Sequence, residues 1–166
     1  ERQLLAGVVA HLDRAFAQQQ RETDRAHRRH AEHGQDLALL LETRDQFASA
    51  AALLAAEASS SPNGASYLER AAKSYLKTGD NTGAEQSLLA ALALQPERGT
   101  LYRSLAMDVY AARGDFDSAD TVLGAGRRNA VDMLPIYRAT TELLEQRRAV
   151  RMASADVPPL PMGGTR

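Results

Sequence analysis

Three of the four histidines, His27, His30 and His33, stand in the run HRRHAEH. Two histidines one turn apart on a helix can hold a zinc ion. Three at i, i+3, i+6 drift around the helix by roughly 60° per step, so they do not converge on one ion. Arg25, Arg28 and Arg29 flank them and repel a cation, so the run reads as a solvated basic helix end without metal, with a surface-recognition patch as the alternative. GDNTG at 79–83 has the composition of a phosphate-cradling loop, but GDFDS recurs 35 residues later, which makes both of them inter-helix turns. Glu142 and Glu145 are three apart, an ordinary arrangement on an exposed helix face. No HExxH, GxSxG or Walker-type glycine loop occurs. Cysteine is absent, which removes disulfides, thiolate metal sites and a cysteine nucleophile. The expectation is a chain that is not an enzyme and uses no cofactor or metal.

Composition narrows the partners. Twenty Lys+Arg balance 21 Asp+Glu in 166 residues, a formal charge of -1. A nucleic-acid binder would carry a clear basic excess, so none is expected to bind. No apolar run approaches the roughly 20 residues of a membrane span. Membrane contact is therefore expected only through a partner, or through an anchor outside these residues. The chain opens on Glu1 rather than Met, which leaves such an anchor or a signal peptide open. Lys73 and Lys77 are the only lysines, and with the abundant alanine this bias suggests a high-GC bacterial genome. Cytoplasm and cell envelope both stay open.

Aromatic residues make up 5% of the chain, and no stretch alternates apolar and polar residues as a half-buried strand does. Ala, Leu, Glu, Gln and Arg dominate, so the fold class is all-α. Residues 3–33 read as one long helix with Leu5, Val8, Leu12 and Phe16 in a stripe; Gly34 ends it and Asp36 caps the next. Residues 37–58 lack Gly and Pro and are expected to form one unbroken helix, with a hairpin broken near Arg44–Asp45 as the alternative. SSSPNG at 59–64 is a stop. The final ASADVPPLPMGGTR is expected to be non-helical, either a frayed linker or a tail lying on a surface.

From residue 65 the chain repeats. Tyr75 aligns with Tyr110, Gly79–Asp80 with Gly114–Asp115, Ala84 with Ala119 and Leu88 with Leu123, each 35 apart. A period of this length with a mid-repeat Gly-Asp break indicates stacked helical hairpins. Tyr75, Gly79, Ala84, Leu88, Ala91 and Pro96 in one copy, and Tyr110, Gly114, Asp115, Phe116, Ala119 and Leu123 in the next, resemble the tetratricopeptide repeat (TPR) family. The second copy departs at Gly126, where Ala is usual, and at Val131, where Pro is usual; one extra residue separates the copies. A degenerate echo places Phe47, Ala50, Leu54 and Pro62 as Phe116, Ala119, Leu123 and Val131 stand. Residues 135–149 read as a closing helix whose outer side is polar, with Gln146, Arg147 and Arg148.

The resemblance implies a short right-handed α-solenoid of antiparallel hairpins, about seven helices. Its parts would be an N-terminal helix with a degenerate hairpin (1–64), the repeats with a closing helix (65–149) and a Pro/Gly-rich tail (150–166). It implies a concave groove lined by first helices. Ser66, Glu69, Arg70, Lys73 and Lys77 come from one repeat, Leu101, Ser104, Asp108 and Ala112 from the next, and Leu143 from the closing helix. The function implied is non-catalytic scaffolding or complex assembly through a bound protein or peptide segment. Alternatively, the N-terminal helix mediates homodimerisation or docking beside a membrane protein, or the chain is an accessory domain of a larger enzyme or transporter.

Overall fold

The computed structural model describes residues 17–23, 25 and 34–155. Residues 17–23 are helical. Leu5, Val8, Leu12, Phe16, the HRRHAEH run and the tail from 156 lie outside the described residues. The chain divides into two compact lobes, one ending at Asp80 and the other beginning at Asn81. The N-terminal lobe contains α1 (34–43), α2 (Phe47–Glu57) and α3 (Gly64–Lys77). The C-terminal lobe contains α4 (Asn81–Leu94), α5 (Gly99–Arg103, carried on without a break as a π-helical stretch Ser104–Tyr110 and a 3-10 turn Ala111–Arg113, together named α5), α6 (Phe116–Asn129) and α7 (Leu134–Ala155). No strand occurs among the described residues.

Residues 37–58 are not one helix. The chain breaks at Arg44–Asp45, and Asp45 takes a left-handed φ of 57°. The Gln46 amide reaches back to the Leu41 carbonyl (2.9 Å) and the Asp45 amide to Glu42 (3.1 Å). This pair of bonds is the Schellman closure of a helix end, with Asp45 in the position that glycine usually takes. The same pair recurs twice. Asp80 and Gly79 donate to Tyr75 and Leu76, and Asp115 and Gly114 donate to Tyr110 and Ala111. Gly79 and Gly114 have φ of 78° and 82°. The three closures fall 34 and 35 residues apart, so the degenerate echo has a real turn inside it. An aspartate pays a steric cost there that glycine does not. Asp45→Gly is therefore expected to raise the stability of the N-terminal lobe by about 0.5 kcal/mol, read as a higher midpoint in urea.

Gly34, expected as a terminator, is helical, the first described residue of α1, and buried; a Cβ there would meet the Glu57 side chain at 3.3 Å. Ala38 of α1 is buried, as are Ala50, Ala51, Leu54, Ala58, Ala65, Tyr67, Ala71 and Ala72 in and beside α2 and α3, which pack on each other. Small residues let those two helices approach, and Leu54, fully covered, contributes roughly 1.5–3 kcal/mol of burial.

The extra residue of the repeat does not separate the copies. Leu68, Ala71 and Ala72 align with Tyr102, Leu105 and Ala106 at 34 residues, and all six are buried. From Tyr75 and Tyr110 onward the offset is 35. The insertion thus falls between Ala106 and Tyr110, inside the stretch Ser104–Tyr110 where α5 is wound as a π-helix. A wider turn absorbs one residue without rotating the flanking faces. It also brings Arg103 within 3.5 Å of Asp108, five residues on, a spacing that an ordinary α-helix directs to different faces.

In the C-terminal lobe α4 packs on α5, and α5 and α6 pack on each other and on α7. Ala106, Met107, Ala111, Ala119, Leu123, Ile136, Ala139 and Leu143 form the core. Asp115 caps α6, accepting the Ser118 amide at 3.1 Å. Gly126 has its reason here. A Cβ would approach the Ile136 Cδ1 at 2.8 Å and the Tyr102 ring at 3.0 Å, so the usual alanine has no space.

Two readings of the C-terminal end need correction. The last helix does not stop at 149 but continues to Ala155, so the segment expected to be non-helical begins in a helix. Nor is its outer side uniformly polar. Gln146 and Arg147 are half-buried, with Arg147 donating to the Phe116 carbonyl (2.6 Å) and to Asp117 (2.8 Å). Leu134, Tyr137, Leu144 and Met152 are exposed instead.

Candidate interaction surface

α3 presents most of the polar residues singled out above, and the N-terminal lobe ties several of them down. Arg70 makes a two-pronged contact with Glu42 on α1, Nε to Oε1 at 3.2 Å and Nη2 to Oε2 at 2.8 Å. The buried Ser74 hydroxyl donates to the same carboxylate at 2.8 Å. The Lys77 ammonium lies over the Phe47 ring, 4.4 Å from its centre. Lys73 donates to Glu69 one turn earlier at 2.9 Å, and its side chain is 60% exposed. Ser66 is exposed on the same helix. The positive charge of Arg70 is therefore consumed within the lobe, whereas Lys73 is held only by a local pair worth a few tenths of a kcal/mol.

The hydrogen bond from Arg70 holds the Glu42 carboxyl below its ordinary 4.5; burial opposes this, and Ser74 and the nearby charges of Arg70 and Lys77 add to the lowering. A carboxylate depressed in the folded state contributes stability that is present above 4.5 and is lost as pH falls through its lower folded value. Glu42→Gln is expected to cost about 1 kcal/mol at neutral pH. The gap between its melting temperature and the wild type's is expected to close on acidification below 4.5. Thermal melts of both proteins across that range check it; a constant gap rejects the ionic account.

The C-terminal lobe treats its candidates differently. Leu101, Ser104 and Leu143, expected in the groove, are buried, at 0%, 7% and 2% exposure. They are packed rather than lining an open surface, and Leu143 belongs to the core of the C-terminal lobe. Asp108 is half-buried against Arg103, and Ala112 is exposed. A second polar group joins α4 to α5: the Tyr110 hydroxyl donates to Glu85 at 2.8 Å and Arg113 reaches the same carboxylate at 3.1 Å. Burial first, then the bond to Glu85, hold the Tyr110 phenol above its ordinary value. Arg113 also stacks on the Tyr110 ring at 4.6 Å. A shallow cleft of about 280 Å³ is lined by Gly114, Asp115, Phe116, Asp117, Arg147, Val150 and Arg151. Of its four charged residues, Arg147 and Asp117 pair with each other and Asp115 with Arg113, which leaves Arg151, and no nucleophile–base pair is present.

Glu42, Phe47 and Glu85 were not legible as members of these groups. Each sits 25 or more residues from its partner in the other helix, and no local spacing announces it. Among the described residues no group of three or more His, Asp or Glu is placed to hold a metal ion. Among them, too, no helix is long and apolar enough to cross a membrane.

Comparison with known proteins agrees with this geometry. No protein-family model matches the chain, and no curated protein matches it either. A solved structure, the TPR domain of Sgt2 from Aspergillus fumigatus, matches over 81% of this chain and 87% of its own, with 17% identity and a TM-score of 0.56. At that identity the likeness speaks for architecture alone. The fold is all-α and TPR-like.

Proposed function

We propose that this chain is a non-catalytic protein-interaction module, a scaffold or assembly subunit that binds a segment of a partner protein along the exposed first-helix face of its repeats. The observation that carries the reading is the α3 face. Ser66, Glu69, Arg70, Lys73 and Lys77 form an ordered polar strip on a TPR-like helix, and Lys73 is left mostly free to meet an acidic group. Arg70, fixed by Glu42, acts as a rigid border of the strip. Asp108 and Ala112 offer a second, weaker patch on α5. An acidic amphipathic helix or extended peptide has the complementary chemistry.

Lys73 is the clean test, since Lys77 also supports the lobe through Phe47 and its loss mixes stability with binding. Lys73→Glu is expected to weaken binding of an acidic partner peptide about fivefold, more at low salt, while leaving the thermal midpoint within a degree or two. Titration calorimetry on the captured partner segment reads this. Unchanged affinity at every salt concentration removes the α3 face from the site.

A further inference from the structure

In α3 and α5 a bulky–small–bulky triplet lies on one face: Leu68, Ala72, Tyr75, and Tyr102, Ala106, Tyr110 with the inserted residue between the last two. In α5 this face is the one on which α6 sits, with Gly126 against the Tyr102 ring. α7 carries the triplet again as Tyr137, Thr141 and Leu144, spaced i, i+4, i+7 as in α3. In α5, Tyr102 is 5% exposed; its ring lies where Gly126 of α6 leaves room, and its hydroxyl is met by Asn129 at 3.4 Å. In α7, Tyr137 is 59% exposed and Leu144 61%, with Leu134 at 56% extending the stripe. The opposite face of α7, Ile136, Ala139 and Leu143, is the one buried in the lobe. The helix is therefore built on both sides, and only one side is covered.

The charge pattern says what covers the other. At the end of α5, Arg113 is paired with Asp115 at the start of the helix that follows (3.6 Å). In α7, Arg147 is paired with Asp117, but further along the apolar stripe, before the helix ends at Ala155, Arg148 and Arg151 are exposed and have no ion-pair partner among the described residues; Arg151 also borders the cleft beside Asp115 and Asp117. A helix laid antiparallel on the stripe would bring its N-terminal turn there, where acidic side chains favour both its own dipole and those arginines. Such a helix needs a small residue where Tyr137 crosses it, as Gly126 is small at Tyr102.

We infer that the outer face of α7 is a docking site for an amphipathic helix of a partner protein, acidic at its N-terminus, with a glycine or alanine at the crossing and leucines beside it. The partner helix completes a repeat that α7 begins. It rests on other residues than the α3 strip, so either assignment stands without the other.

The test uses the full 166-residue chain and a labelled peptide with the sequence of its own residues 115–130, which has Asp115, Asp117 and Asp120 at the front and Gly126 behind. Fluorescence anisotropy is expected to show saturable binding. Leu144→Glu and, separately, Tyr137→Glu are expected to weaken it about tenfold or more, and the double change Arg148→Glu/Arg151→Glu about fivefold. Lys73→Glu is expected to leave it unchanged. Both apolar positions are exposed, so circular dichroism of the variants is expected to match the wild type. Absence of binding, or binding that survives both Leu144→Glu and Tyr137→Glu, overturns the assignment; the latter would mean that the peptide replaces α6 instead. Sedimentation showing a dimer that Leu144→Glu dissolves would also overturn it, because a second copy would then be the occupant.

Discussion

A methyl group added at position 99 is expected to destabilise the C-terminal lobe strongly. Gly99 starts α5, and a Cβ there would lie far closer to the Asp132 carbonyl oxygen than van der Waals contact allows, with the Ile136 Cδ1 3.6 Å away. Asp132 belongs to the short link before α7, where the neighbouring Val131 amide is bonded to the Glu97 carbonyl at 2.9 Å. That bond fixes the link, so the oxygen cannot retreat without breaking it. The expected cost of Gly99→Ala is about 3 kcal/mol, at the upper end of ordinary overpacking because backbone must move. Gly126→Ala makes a useful comparison. Its neighbours are side-chain atoms of Ile136 and Tyr102, and alanine regains about 1 kcal/mol of helix propensity. Its net cost is expected to be about half that of Gly99→Ala. Urea midpoints of the two variants measure both; equal or negligible losses would show that the close approach at position 99 is not there.

The second large effect is a contrast between two deletions. Removing one residue from a buried α-helix rotates everything beyond it by about 100° and exchanges its inner and outer faces. Deleting Ser74 from α3 is expected to do this, detaching Lys77 from Phe47 and misplacing the Gly79 closure. The N-terminal lobe should then lose its cooperative transition. Deleting Met107 from α5 is expected to be tolerated, because it removes the residue that the π-turn accommodates. Ala106, Asp108, Val109 and Tyr110 then stand as Ala72, Lys73, Ser74 and Tyr75 do in α3. The cost is the packing of Met107 and the wide-turn pair Arg103–Asp108, about 2 kcal/mol or less, offset in part by regular helix geometry. Calorimetric melts distinguish the cases. A Met107 deletion that destroys folding would place the insertion elsewhere.

The echo around residue 47 shows how far pattern reading reaches. Phe47, Ala50 and Leu54 were seen to stand as Phe116, Ala119 and Leu123, and that alignment already demands a turn opposite Gly114. The absence of glycine argued for a continuous helix, and the glycine argument was the weaker one. Asp45 takes the left-handed conformation because the flanking closure bonds and the packing of α2 on α3 hold it there.

Helix content, the Gly-Asp breaks and the leucine and alanine core were legible from these residues because they are local. Propensity, turn chemistry and a face repeating every three to four residues are written within a few turns of chain. What only the tertiary structure decided is which charges are free and which faces are covered. Arg70 looked available until Glu42, 28 residues away, closed on it; Leu101 and Leu143 looked like groove and proved to be core. Tyr137 and Leu144 looked like part of a closing helix and stayed in solvent. Such outcomes depend on packing between distant elements, and a spacing along one helix carries no record of what lies against it.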